Sequence, residues 1–245
     1  MANEENTAII IPCRNESGNL IPLVEAVIGI IKPNDEVIII EGGSSDSTYE
    51  EALTLEERFP DKVRTFKQNG KGKFDAVLLG VKETNIPTVM IWDADATVNF
   101  DQNHKIYLLP GGKNQLITGD RLRGNRDQGA MRFANLIGNW AFALVWAGIL
   151  RRSPIDLLCG TKKFPRYLIT KAPAWLLELD PYGDFAIFAM AAKKKIPIIS
   201  LPVNYHSRSH GKTNIHRWRG GVKLLIITVV IVIRLNLRSS KTSNE

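Results

Sequence analysis

Residues 7–41, TAIIIPCRNESGNLIPLVEAVIGIIKPNDEVIIIE, decide the fold. Thr7–Pro12 and Glu36–Glu41 are short β-branched runs, apolar in succession rather than alternating, as strands buried on both faces are. Asn19–Ile31 between them has the make-up of a helix and stops ahead of Pro33, which cannot continue one. Strand, helix and strand with connections this short imply a right-handed crossover and two parallel neighbours in one sheet.

The pattern repeats downstream. Ser47-Thr48-Tyr49-Glu50 has the form of a capping box, in which each end satisfies a free amide of the other, and it starts a helix to Phe59. A strand at Val63–Lys67, a helix from Phe74 to Thr84 and a strand at Val89–Trp92 follow. The second half is less regular. Asn114–Thr118 reads as a strand, Asp127–Leu150 contains a long helix rich in Trp, Phe and Leu, and Phe185–Lys195 is helical. Ile196–Val203 reads as a strand whose prolines place it at a sheet edge. The expected class is therefore α/β: a Rossmann-like, mainly parallel, doubly wound sheet flanked by helices, with an apolar or amphipathic helix at the C-terminus. Residues 1–221 are expected to form the domain, and 222–245 that helix with a basic tail.

Composition narrows the function classes. A chain of 245 residues, 44% hydrophobic and 23% charged, can build its core without disulfides. Cys13 and Cys159 stand outside any metal-binding spacing, which makes a reducing compartment the default. MANEENTAIIIP has no basic region ahead of a long apolar run, so no secretory signal is read there. The net charge of +7 is concentrated late: from Asn204 onward there are eight Lys/Arg and one acid, Glu245. Such a tail suits phosphate, nucleic acid or an acidic membrane face. Leu224–Ile233, bounded by Lys223 and Arg234, spans about 15 Å as a helix, half a bilayer core. It cannot cross alone, and two readings stay open: an interfacial helix, or a helix docked on the domain.

Ligands of open α/β sheets bind beyond the carboxyl ends of the strands, here Pro12–Glu16, Glu41–Asp46 and Asp93–Asp95. Asp93 and Asp95 share a face if their segment is extended, and two like charges so placed call for a cation. Oxygen ligands with vacancies suit Mg²⁺ or Mn²⁺ that also holds substrate phosphates. Glu41-Gly-Gly-Ser-Ser-Asp46 lets backbone approach a ligand while its acids accept hydrogen bonds from a base or ribose. Gln68-Asn-Gly-Lys-Gly-Lys73 is a basic loop before a helix N-terminus, suited to a diphosphate. Neither GxxxxGK[ST] nor GxGxxG occurs, against P-loop and dinucleotide readings. His206, His210 and His216 fall in a polar loop, and Trp140, Phe142 and Trp146 suit a core or a membrane-facing helix.

The ordered series PCRNE, EGGSSDST, NGKGKFDA and DAD resembles the family 2 glycosyltransferases of GT-A fold, in particular the branch of dolichyl-phosphate mannose synthase and other polyprenyl-phosphate glycosyltransferases. Gly119-Asp-Arg121, Ala130-Met-Arg132, Asp156-Leu-Leu-Cys-Gly160-Thr-Lys162, Asp180-Pro-Tyr-Gly-Asp184 and the segment from Pro202 to Asn214 continue it, so that the likeness covers residues 6–221. The resemblance implies that Pro12, Asn15, Glu16, Glu41, Asp46, Lys73 and Asp93 contact the donor nucleotide. It implies that Asp93 and Asp95 hold Mg²⁺ or Mn²⁺. Glu41 and Gly42 stand where the family has two aspartates, and Thr97 where the synthases often have glutamine. Arg121, Arg132, Arg208 and Lys212 fall on or near positions that look like a cradle for an acceptor phosphate.

The implied reaction is transfer of a sugar, with inversion, from a nucleotide-sugar donor to a polyprenyl phosphate at the cytoplasmic, inner face of a membrane. Asp95, Asp184, Arg121, Arg132 and Arg208 form the expected catalytic set. A phosphate acceptor is already ionised and needs positioning, whereas a saccharide hydroxyl needs a base, for which Asp184 is the candidate. Asp184 also reads as a helix N-cap before Phe185. A nucleic-acid-binding module, motivated by net charge, leaves Asp93 and Asp95 without a role, and no nucleic-acid partner is expected.

Overall fold

Alternate isoleucines of the first two strands pack into different cores. Ile10, Ile38 and Ile40 belong to one buried cluster, whereas Ile9, Ile11 and Ile39 belong to another on the opposite side of the sheet. This is the period of two expected of strands covered on both faces. The structure is a computed structural model and describes residues 5–127, 133–206 and 217–235.

In chain order the elements are β1 (Thr7–Cys13), α1 (Leu20–Ile28), β2 (Glu36–Glu41), α2 (Thr48–Arg58), β3 (Val63–Lys67), α3 (Lys73–Glu83), β4 (Thr88–Ile91), α4 (Phe100–Leu108), β5 (Leu116–Asp120) and α5 (Phe133–Leu150). They continue with β6 (Lys162–Pro165), α6 (Tyr167–Thr170), α7 (Ala174–Leu179), α8 (Asp184–Lys193), β7 (Ile198–Pro202) and α9 (Arg217–Leu235). The sheet runs β3-β2-β1-β4-β6-β5-β7. Ile10 pairs with Ile38 on one side and Ile91 on the other, both in parallel register, and only β6 runs against its neighbours. The mainly parallel α/β sheet is thus as expected, with β7 at an edge.

Strand β6 and helix α4 were not anticipated. KKFP looks like surface, yet Lys162 and Lys163 are both buried, one toward each face of a central strand. Lys163 Nζ donates to the carbonyls of Tyr107 and Leu109, each at 2.8 Å, satisfying the end of α4. The N-cap of α4 is Asn99, whose side chain accepts from the Asp101 amide at 2.9 Å.

The capping box does not form. Ser47, at φ −79° and ψ 16°, lacks the extended backbone of that motif and makes no capping bond. Asp46 Oδ1 accepts from the Thr48 amide instead, at 3.1 Å, while Ser47 Oγ meets Ser17 Oγ at 3.0 Å.

Helix α9 extends well beyond the apolar decad, and a division at 221/222 falls inside it. One side docks: Ile227 and Ile231 are buried, and Trp146 Nε1 of α5 donates to Thr228 Oγ1 at 3.2 Å. Among the described residues, no helix is long and apolar enough to cross a membrane.

Candidate active site

The loops after β1 and β2 brace one another at the carboxyl edge of the sheet. Asn15 adopts a left-handed φ of 56°, which asparagine tolerates better than most residues. Its amide donates to Ser44 Oγ at 3.0 Å, and its side-chain oxygen accepts from the Ser45 amide at 2.8 Å. The Glu16 amide donates to Thr48 Oγ1 at 2.8 Å, and Glu41 Oε1 accepts from the Ser44 amide at 2.5 Å. Burial works to raise the Asp46 carboxyl, but bonds from Thr48 and the Ser17 amide hold it below its ordinary value. Four of the expected nucleotide contacts, Asn15, Glu16, Glu41 and Asp46, therefore belong to one linked pair of strand ends and loops, and Pro12 precedes it within β1.

Beside it lies a cluster of alternating charge. The Lys73 ammonium pairs with Asp93 Oδ1. Lys162 Nζ donates to Asp184 Oδ1 at 2.5 Å and also to the Cys159 carbonyl. Arg121 grips Asp156 with two bonds, Nε to Oδ2 at 2.6 Å and Nη2 to Oδ1 at 3.1 Å, a strong fork geometry. Burial opposes the charge of Asp93, yet Lys73, then Lys162 and Arg121, hold its carboxyl below the usual range. Burial likewise opposes the Lys73 ammonium, and Asp93, with Asp184 and Asp95 beyond it, keeps its pKa raised. Four acids and three bases thus share one electrostatic neighbourhood.

Several expected placements change. Strand β4 ends at Ile91, the chain turns at residues 94–95, and Ala96 takes φ 52°, so the extended geometry that would align Asp93 with Asp95 is absent. Asp93 faces Lys73, while Asp95 Oδ1 accepts from the Thr97 amide at 3.1 Å and Thr97 Oγ1 at 2.8 Å. Arg121 is committed to Asp156 and lies over the Tyr205 ring at 5.0 Å, so it is no free member of a phosphate cradle. Arg132, Arg208 and Lys212 lie outside the described residues, as do His210 and His216. Asp184 is the first residue of α8 rather than its cap, which is Gly183 at φ 79°.

Four residues were given no role from the sequence, although all four lie in the motifs that carry the family resemblance. Asp156 and Lys162 supply the partners of Arg121 and Asp184. Gly160 closes the site behind Asp93: a Cβ there would stand 1.8 Å from Asp93 Oδ2 and 2.5 Å from Lys73 Nζ. Asp180, buried and raised by burial and by Asp184, accepts from the Tyr182 and Ala186 amides and so sets the start of α8.

Among the described residues, no group of three or more His, Cys, Asp or Glu is arranged to hold a metal ion. The donor set at Asp93 and Asp95 is two carboxylates. That set fits Mg²⁺ or Mn²⁺, hard cations that take one or two protein carboxylates and complete their shell with phosphates and water.

Residues 8–159 match the family model of glycosyl transferase family 2. The poly-beta-1,6-N-acetyl-D-glucosamine synthase of Staphylococcus aureus (strain MSSA476) is 29% identical over 143 residues, 55% of this chain and 34% of that protein. The synthase of the same name from Staphylococcus epidermidis is 31% identical over 97 residues, 40% of this chain and 23% of that one. The chain thus spans about a third or less of these curated relatives. Among solved structures, glucosyl-3-phosphoglycerate synthase of Mycobacterium tuberculosis with Mn²⁺, UDP and glucosyl-3-phosphoglycerate has a TM-score of 0.62 at 17% identity, covering 96% of this chain and 82% of that one. The same enzyme with Mn²⁺, UDP-glucose and phosphoglyceric acid has a TM-score of 0.65 at 15% identity, with 96% and 81% covered. These structural likenesses speak for the fold, and the family model covers more than half of the sequence: the chain belongs to glycosyl transferase family 2.

Proposed function

We propose that this glycosyltransferase moves a sugar, with inversion, from a nucleotide-sugar donor to a polyprenyl phosphate at the inner, cytoplasmic face of a membrane, as a peripheral protein. The observation that carries the lipid side of this reading is that α5 and α9 each leave large apolar side chains exposed. Ile137, Trp140, Leu144 and Val145 stand out from α5, and Val222, Leu225, Ile226, Val229 and Ile233 from α9. The α9 residues follow helical spacing on the side away from the docked Ile227 and Ile231, so the helix is apolar on both sides and only one is covered. Lys223 and Arg234, both exposed, lie on one flank of that helix and add charge that anionic headgroups attract.

The chain's residues divide the work. The double loop of Pro12–Glu16 and Glu41–Asp46 receives the nucleoside, and Lys73 stands at the N-terminus of α3, where a diphosphate is favoured. Asp93 and Asp95 would hold Mg²⁺ or Mn²⁺, which when bound neutralises charge on the departing nucleoside diphosphate. Thr97 fixes the Asp95 carboxylate, and Gly160 leaves room for Asp93. The acceptor oxygen of a phosphate is already ionised, so no base is required, in keeping with an Asp184 engaged by Lys162. The solved complexes with Mn²⁺ and UDP support metal and nucleotide in such a fold.

A second reading keeps the donor side and gives the sugar to a saccharide hydroxyl, with Asp184 as base. The polysaccharide synthases among the relatives favour it. A donor screen separates the two: UDP- and GDP-sugars with Mn²⁺ or Mg²⁺, offered short polyprenyl phosphates or free saccharides, with nucleoside diphosphate release as readout. Release dependent on polyprenyl phosphate is expected, and transfer to saccharides alone overturns the lipid reading.

A further inference from the structure

We propose that Lys73 is a stand-in cation: its ammonium occupies Asp93 in the resting enzyme and is drawn off by the donor's diphosphate, so that divalent metal and nucleotide are admitted together. This inference rests on the metal-dependent reading above. One oxygen of Asp93 carries a cation without a metal, and the other is closely backed by the chain. Oδ1 carries the Lys73 ammonium, and Oδ2 lies so close behind Gly160 that even a methyl group there would collide with it. A divalent ion that binds through Oδ1 therefore competes with the Lys73 ammonium for it.

Lys73 is built to leave. Its backbone is held: the Gln68 amide donates to the Glu41 carbonyl at 2.8 Å, Gln68 Nε2 donates to the Gly72 carbonyl at 2.8 Å, and Gly72 turns the chain at φ 92° into α3. Its side chain is not enclosed, since 34% of it and 27% of that of Asp93 remain accessible. Lys162, in the neighbouring pair, is 0% exposed and has no such freedom. A diphosphate arriving at the α3 N-terminus offers Lys73 a more concentrated negative charge than one carboxylate, and withdrawal of the ammonium leaves Asp93 and Asp95 to the metal. By linkage, nucleotide must then raise metal affinity by the same factor as metal raises nucleotide affinity.

The test measures Mn²⁺ binding to the full chain by the electron paramagnetic resonance signal of free Mn²⁺, with and without UDP or GDP. Wild type is expected to bind Mn²⁺ weakly alone and about tenfold or more tighter with its nucleotide, a typical coupling. Lys73→Met should bind Mn²⁺ alone about tenfold tighter than wild type and gain less from nucleotide. Lys73→Arg, which keeps the cation, should resemble wild type, and Asp93→Asn should cancel the gain in the Lys73→Met background. A folded Lys73→Met protein, by circular dichroism, that binds Mn²⁺ alone no better than wild type overturns the inference while leaving the glycosyltransferase reading in place. A wild type that takes up no Mn²⁺ even with UDP or GDP overturns the metal-dependent reading itself, and the inference with it.

Discussion

Lys162 Nζ lies 2.5 Å from Asp184 Oδ1, and the lysine is wholly buried while 18% of the aspartate side chain reaches solvent. The two partners are therefore not equivalent. Removing Asp184 strands an ammonium inside the protein, whereas removing Lys162 leaves a carboxylate that water can reach. Asp184→Ala should cost on the order of 3 kcal/mol in urea unfolding, and Lys162→Met clearly less. An equal loss from both variants speaks against this asymmetry.

The same residue separates the two acceptors. Asp184→Asn keeps an oxygen for Lys162 and removes any base. Transfer to polyprenyl phosphate should survive it with a modest fall in kcat, whereas transfer to a saccharide hydroxyl should fall about 10²- to 10⁴-fold. Steady-state rates with each acceptor decide the matter.

Gly160 is expected to tolerate no side chain. A methyl group there meets Asp93 Oδ2 at 1.8 Å, and the carboxylate must move from its place beside Lys73. Gly160→Ala should lower kcat/KM about 100-fold or more, the scale of a misplaced site group, while costing only about 1–3 kcal/mol of stability. Paired kinetics and thermal melts test whether the loss is local.

The Arg121–Asp156 pair predicts an acid-dependent stability. Burial raises the Asp156 carboxyl, but Arg121 overcomes this and holds it below its ordinary value. A depressed folded pKa gives stability that is present above the unfolded value of about 3.9 and lost as pH falls through the folded one. The stability gap between wild type and Asp156→Asn should stay flat from about pH 5 to 7 and narrow below about pH 4. Denaturant unfolding across that range checks it, and a gap that widens toward acid contradicts the pairing.

What could be read in the chain follows from how local each signal is. The β1-α1-β2 unit was legible because Ile9, Ile10 and Ile11 are all buried, and an uninterrupted apolar run has few other uses. Strand β6 was not, since Lys162 and Lys163 carry the marks of surface while their charges end on Asp184 and on carbonyls of α4. The acids Asp93, Asp95 and Asp184 were singled out, but the pairs they form were not. Lys73 meets Asp93 across the sheet edge, and Arg121 meets Asp156 from 35 residues away. No local pattern announces an ion pair formed by tertiary packing. Conversely, Arg121 looked like a free cation because its partner could not be seen.

The exposed apolar side of α9 gives the last prediction. Ile226 and Val229 are exposed, and their neighbours Ile227 and Thr228 carry the docking, so a charge on the outer side disturbs contact with lipid but not with the domain. Ile226→Glu with Val229→Glu should leave the melting temperature within a few degrees of wild type, as exposed substitutions do. Cosedimentation with vesicles containing anionic lipid should fall about tenfold or more, through lost apolar burial and added repulsion. Neither residue belongs to the loops of the proposed donor site, so nucleotide binding should be unchanged. A double variant that still cosediments like wild type removes the membrane contact from the proposed function, whatever its acceptor.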